Sequence, residues 1–229
     1  MTTTANNPPQ NLRSPEVHND GRVTFRVFAP HAKTVLLAED IVPDLDPPAP
    51  KSLKRGKNGV WSVTVGPLTP NIYDYAFQID GVRTPDPANW RVKAGAIPPV
   101  SRVDVPGRSA DFFALKDGPH GVIQRQTYYS ETAGGWRELY IYLPPGYSPS
   151  QRYPVLYLLH GRGDLADSWL NLGFANRIAD NLLAAGQIRP GLIVMPLGFV
   201  VHDPNALDSV DMWTTIKNFP TELMHDIIP

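Results

Sequence analysis

The sequence predicts two folds in series, an all-β sandwich over 16–105 and then the opening part of an α/β domain over 121–229. Three observations predict it. Apolar and polar residues alternate with period two in several short runs between 20 and 105, with turn signals between the runs. Glycine and proline cluster in 106–120. Beyond that stretch, a continuous apolar run, a helical apolar stripe and a second apolar run follow one another, which is the pattern of a βαβ unit.

Composition narrows the functional classes. The chain has 229 residues, with 21 Lys plus Arg against 22 Asp plus Glu and a formal net charge of -1, so it presents no field for nucleic acid or an anionic membrane. With no cysteine, disulfides, a thiol nucleophile and a thiolate zinc site are excluded. The 25 prolines and 18 glycines imply many turns between short strands. Met1–Gln10 is polar and has no apolar segment of the kind that opens a secretion signal, and no apolar run reaches the length of a membrane span. Neither compartment nor oligomeric state follows from these features.

Residues 1–15 are Thr, Asn, Pro and Gln with little to bury, and are expected to form a disordered tail. Asn19-Asp20-Gly21 is a turn, after which Val23, Phe25 and Val27 alternate with polar residues. Val35 and Leu37 continue the pattern, and the proline-rich Pro43–Pro50 reads as a surface loop. Asn58-Gly59 leads into Trp61, Val63 and Val65, and Tyr73, Tyr75, Phe77 and Ile79 run up to Asp80-Gly81, a two-residue hairpin signal. No helical period interrupts 20–105, so this region is assigned to a sandwich.

After the 106–120 linker, 122–129 and 137–143 read as an antiparallel hairpin around Gly134-Gly135, at the edge of a sheet. The run 154–159 is apolar throughout and stops at His160-Gly161, so it is expected to be an inner strand of a mostly parallel sheet, buried on both faces. Gly161 and Gly163 flank Arg162 and allow a sharp turn close to a ligand. A helix follows, with Phe174, Ala175, Ile178, Ala179, Leu182 and Leu183 inward, Asn176, Arg177, Asp180 and Asn181 outward, and Gly186 at its end. Gly191–Pro196 is a second buried strand, and Phe219, Leu223 and Ile227 start another amphipathic helix.

Two resemblances rest on these motifs. Gly21-Arg-Val-Thr-Phe-Arg-Val-Phe-Ala-Pro30, Gly59-Val-Trp-Ser and Tyr73-Asp-Tyr-Ala-Phe resemble the early-set immunoglobulin-like domain akin to the family 48 carbohydrate-binding module. Pro144-Pro-Gly-Tyr, Tyr153-Pro-Val-Leu-Tyr-Leu-Leu-His-Gly, Asp164 with Trp169, Ala175-Asn-Arg-Ile-Ala-Asp-Asn-Leu, Ile193-Val-Met-Pro and Glu222-Leu resemble the Putative esterase family. That family includes the feruloyl and acetyl-xylan esterases of carbohydrate esterase family 1. The second resemblance implies an α/β-hydrolase that cleaves carboxylic esters borne by polysaccharide, with a polysaccharide or small ester as its partner and no cofactor or metal.

The implied site is half present. An α/β-hydrolase carries its nucleophile in Gly-x-Ser-x-Gly, followed by an acid and a histidine. No serine here has that context, since Ser148 and Ser109 each lack the second glycine. The catalytic Ser, Asp and His are therefore expected beyond Pro229, in a chain read as truncated. What the resemblance does place here is an oxyanion donor, the Arg162 amide next to Gly161. Asp164 and Trp169 either line the acyl pocket or act as a helix cap and a core aromatic. His160 is read as fixing the loop through backbone hydrogen bonds, because as a base it would need a serine within reach. Trp61 is read as core, and Trp90 as either a sugar-stacking ring or a contact to the neighbouring domain. His202, Asp203 and Asp208 are read as a solvated loop and not a metal site. The competing function is a non-catalytic glycan-binding module.

Overall fold

The computed structural model describes residues 7–38, 50–93, 99–161, 164–198 and 212–228. The chain divides into two compact units, Met1–Asp111 and Phe112–Pro229.

The first unit is all β: β1 (Glu16–Val17), β2 (Val23–Phe28), β3 (Val35–Ala38), β4 (Lys51–Ser52), β5 (Lys54–Arg55), β6 (Val60–Val65), β7 (Asn71–Ile79), β8 (Val82–Thr84), β9 (Val92–Lys93) and β10 (Val100–Val105). They form one sheet in the order β1-β2-β6-β5 and a second in the order β4-β3-β7-β10-β9, with β8 hairpinned onto β7. Alternation explains both sheets. Val23, Phe25, Val27, Trp61 and Val65 of the first share one apolar cluster with Val35, Leu37, Tyr73, Tyr75 and Phe77 of the second. Phe25 meets Tyr75 between the sheets, edge to face at 4.6 Å. This arrangement is compatible with the expected sandwich.

Local chemistry sets the turns. Asp80 and Gly81 both take positive φ, 47° and 87°, as a two-residue hairpin requires, and Asp80 Oδ1 accepts the backbone N–H groups of Lys33 and Thr34 at 2.9 and 2.7 Å. The tail expectation needs correction at its end. Ser14 is buried and its hydroxyl accepts Arg26 N–H at 2.9 Å, because the chain runs alongside β2 as it enters β1. Pro43–Ala49 lies outside the described residues.

A short 3-10 helix over Arg108–Phe113 spans the division, and in the second unit β11 (Val122–Ser130) pairs with β12 (Gly135–Leu143) as the predicted hairpin. Then come β13 (Val155–Tyr157), α1 (Ser168–Asn171), α2 (Ala175–Ala184), β14 (Leu192–Pro196), α3 (Met212–Glu222) and a π turn over Leu223–Ile227. The sheet order is β11-β12-β14-β13, antiparallel except for the β13–β14 pair. Tyr142, Ala179 and Met195 are the centre of its core, with Leu158, Trp169, Leu183 and Ile193 packed around them.

Four expectations change here. The strand expected over 154–159 is confined to 155–157 and pairs only with β14, in a sheet whose other pairings are antiparallel. It is an edge strand among the described residues, with Val155 43% and Leu156 54% exposed, because no described strand lies on its far side. Asp180 points inward instead of outward: Tyr142 Oη and the Gly121 amide both donate to Oδ1, at 2.6 and 2.9 Å, which compensates the carboxylate for its burial. Phe174 caps α2 in a left-handed conformation (φ 52°) and does not open its stripe. The last helix starts at Met212, a turn and more before Phe219, and runs through Pro220. Gly186 does end α2, with Gly186 and Gln187 amides returning to Leu183 and Leu182 carbonyls.

Candidate active-site corner

β13 and β14 end side by side, and the residues after them are tied to one another. Leu158 N–H donates to Val194 O at 2.8 Å, one step beyond the regular pairing. The Trp169 indole N–H donates to Leu159 O at 2.7 Å. Gly198 N–H donates to His160 Nε2 at 3.0 Å, which makes Nε2 the acceptor nitrogen and leaves the ring proton on Nδ1, 2.8 Å from Gly161 O. His160 therefore holds the carboxyl end of β13 against the residue two places after β14. This is the loop-fixing role expected of it, and it occupies both ring nitrogens.

The predicted site residues fall out unequally. Arg162, whose amide is the expected oxyanion donor, lies outside the described residues, as do Gly163, His202, Asp203 and Asp208. Gly161 is exposed and does not use a left-handed φ, contrary to the expected role of a glycine there. A Cβ on it would lie 3.3 Å from Asp164 Oδ2, so closeness to that carboxylate distinguishes the position. Asp164 is half-buried and its N–H donates to Gly161 O at 3.1 Å. It is not the cap of α1, a position taken by Asp167. Trp169 packs against the Tyr142–Ala179–Met195 core while its indole N–H reaches the corner, so it is both core aromatic and corner support.

The second unit holds two polar clusters that the sequence left unassigned, the first of them beside the corner. Arg137 on β12 donates from one guanidinium nitrogen to Leu197 O at 3.0 Å and forms an ion pair with the fully buried Glu222 of α3. Tyr128 Oη donates to the same carboxylate at 2.8 Å, and burial, then that hydrogen bond, pushes its phenol well above the ordinary range. Asp226 in the π turn accepts Ser130 Oγ–H and Thr132 N–H. Burial raises its pKa, but these bonds outweigh that and hold the carboxyl below its usual value. The second cluster centres on Asp180, which meets Tyr142 Oη, Gly121 N–H and His120 Nδ1, the last at 3.0 Å. Burial, then Asp180, raises the Tyr142 phenol, which stays a donor. A signal existed for the first of them. Arg137 shares the face of Leu139 in β12, and Glu222 lies three residues after Phe219 on the apolar side of its helix, so each charge needed a partner.

In the first unit, Trp61 is core: it is buried and its indole N–H donates to Ala29 O at 2.9 Å. Trp90 is 89% exposed on a loop that is firmly held beneath it. Buried Asp86 accepts Tyr75 Oη–H and the Ala88 amide, each at 2.8 Å, and Asn89 Nδ2 donates to Tyr75 Oη and Arg102 O. Burial raises the Asp86 carboxyl above its ordinary value. No group of three or more potential metal ligands occurs among the described residues.

Comparison with known proteins agrees with the two-part reading. Residues 13–96 match carbohydrate-binding module 48, the isoamylase N-terminal domain, and residues 130–217 match the Putative esterase family. The chain is 36% identical over 222 residues to an endo-1,4-beta-xylanase/feruloyl esterase of Xylanibacter ruminicola, a match spanning 94% of this chain and 30% of that protein. It is 29% identical over 110 residues to endo-1,4-beta-xylanase Y of Acetivibrio thermocellus, covering 48% of this chain and 9% of that protein. The chain thus spans less than a third of the length of these curated relatives. The crystal structure of enterochelin esterase from Shigella flexneri superposes with a TM-score of 0.61 at 17% identity, over 94% of this chain and 61% of that one, which is a likeness of fold. These matches make 13–96 similar to the family 48 carbohydrate-binding module and 130–217 similar to the Putative esterase family.

Proposed function

We propose that the chain supplies the glycan-facing and oxyanion-bearing portion of a carboxylic-ester hydrolase of the α/β-hydrolase class, acting on feruloyl or acetyl esters of plant polysaccharide. The observation that carries this reading is the tied corner after β13, where His160, Trp169 and Gly198 fix the segment leading into Arg162. Attack on an ester carbonyl puts negative charge on its oxygen, and a preorganised N–H about 2.7–3.1 Å away is worth roughly 10²–10³ in rate. The Arg162 amide, beside Gly161, is assigned that role. Asp164 and Trp169 are assigned to the acyl side of the site and Trp90 to glycan contact. The division proposed is 16–105 sandwich of the early-set immunoglobulin-like kind, 106–120 linker and 121–229 α/β-hydrolase segment.

The 229 residues contain no Gly-x-Ser-x-Gly, so the reading leaves the nucleophile to residues outside them. The similarity to a xylanase/feruloyl esterase over nearly all of this chain supports the substrate class. A second reading, a non-catalytic glycan-binding protein, is favoured by that missing motif and by exposed Trp90. Reading the gene past codon 229 separates the two. A continuing frame that encodes Gly-x-Ser-x-Gly and then an acid and a histidine is expected. A stop at that point, with retention on insoluble xylan and no hydrolysis of methyl ferulate, would replace the first reading with the second.

A further inference from the structure

The hairpin of the second unit ends in two aromatic side chains that its core does not use. Tyr129 and Trp136 are direct cross-strand partners, so their rings share one face of the sheet. They meet edge to face, with centroids 5.6 Å apart and planes at 82°, and stay 47% and 74% exposed. With three quarters of the indole open, at least one of its faces is accessible.

Topology puts this pair at the same end of the sheet as the corner. β12 runs antiparallel to β14 with Leu139 opposite Pro196, so Arg137 and Trp136 lie level with the residues that follow β14. Arg137 confirms the level by bonding Leu197 O, next to the Gly198 that holds His160. Strands lie about 4.8 Å apart, so β12 is roughly 10 Å and β11 roughly 15 Å to the side of β13. In open sheets ligands bind beyond the carboxyl ends of the strands, which here means the ends of β13 and β14.

The chemistry of the patch selects its occupant. Two rings offer at most about 500 Å², well short of the roughly 1,200 Å² that a stable protein interface buries. On the same face the next pairs are Thr127 with Glu138 and Arg125 with Tyr140, and Arg125 forms an ion pair with Glu138. Charges and hydroxyls this close to the rings suit a ligand with an apolar face and a rim of hydroxyl groups, and do not suit the charge-depleted centre of a protein interface.

We propose that Trp136, supported by Tyr129, is a sugar-stacking subsite for the polysaccharide chain whose ester reaches the corner after β13. This rests on the ester-hydrolase reading and adds a contact on the esterase segment itself, separate from the carbohydrate-binding module. The test is affinity electrophoresis of the full chain through gels containing soluble arabinoxylan, together with a xylohexaose titration that follows the Trp136 indole N–H by NMR. Trp136→Ala is expected to weaken retention about five- to tenfold. Trp136→Phe should keep most of it, Tyr129→Phe all of it, and the wild-type indole signal should move with ligand. Retention unchanged in Trp136→Ala, loss confined to Trp90→Ala, no retention of the wild-type chain, or a static indole signal would each overturn the subsite. Because the titration uses the wild-type protein, misfolding of a variant cannot mask the answer. Binding is read without turnover, so the subsite can fail while a Gly-x-Ser-x-Gly past codon 229 upholds the esterase, and the reverse.

Discussion

The two units bury their centres differently. In the first, the large fully buried side chains are Val23, Phe25, Val27, Val35, Leu37, Tyr75, Phe77 and Val105, every strand of the core has its partners, and the buried polar Asp86 and Ser101 bond to each other. In the second, the fully buried set includes Glu222, and Asp180 is nearly as deep, while Val155 and Leu156 of an edge strand remain open. An apolar cavity of about 230 Å³, lined by Tyr142, Pro154, Leu156, Ala179, Leu183 and Ile188 among others, adjoins that strand. The first unit is held by shape and apolar area. The second also buries carboxylates with their partners, Glu222 with Arg137 beside the corner and Asp180 with Tyr142 and Gly121 near the start of β14.

Substitutions can break that contrast. Glu222→Ala strands the Arg137 guanidinium in a buried position and should cost about 3–5 kcal/mol in urea unfolding of the second unit, whereas replacing both partners by well-packed apolar residues should cost far less. Phe25→Ala should cost the first unit about 3–5 kcal/mol by leaving a cavity, with no polar rescue available. Asp180→Ala, which orphans the Tyr142 hydroxyl and the Gly121 amide, should cost about 1–3 kcal/mol for each donor left unpaired.

Two carboxylates, one in each unit, should contribute to the pH dependence with opposite sign. Asp86 is raised in the fold, so its contribution is present below its ordinary pKa and is lost as pH rises through the higher folded value. Asp226 is lowered, so its contribution is present above its ordinary pKa and is lost as pH falls through the folded value. In hydrogen exchange resolved by unit, Asp86→Asn should make stability of the first unit rise more with pH across the carboxylate range than in the wild type, and Asp226→Asn should make stability of the second unit rise less. The smallest effect belongs to the edge: Leu156→Lys should change stability by no more than about 0.5 kcal/mol. A cost of several kcal/mol would show that β13 is an inner strand.

What was legible in the sequence follows from range. Hairpins set by adjacent residues, Asp80-Gly81 and Gly134-Gly135, were readable because the turn chemistry is local. So were the sandwich alternation and the Gly186 stop of α2. The outward assignment of Asp180 failed because its partners, Gly121 and Tyr142, come from far along the chain, and no periodicity announces them. The inner-strand expectation for 154–159 used apolarity as a sign of burial on both faces, but apolarity says nothing about which neighbours are at hand. At the corner, the legible part was the short-range one, His160 as a loop-fixing residue, while Gly198, Arg137 and Glu222 had to be brought in by the fold.

The claim on which the rest depends is that these residues hold the oxyanion side of an ester-hydrolysing site and not its nucleophile. Treating the 229-residue chain with a serine-directed phosphonate while following p-nitrophenyl acetate hydrolysis tests it directly. The account predicts no labelled serine and no turnover above buffer. Stoichiometric labelling of any serine, Ser148 included, with loss of a measurable esterase rate, would contradict it.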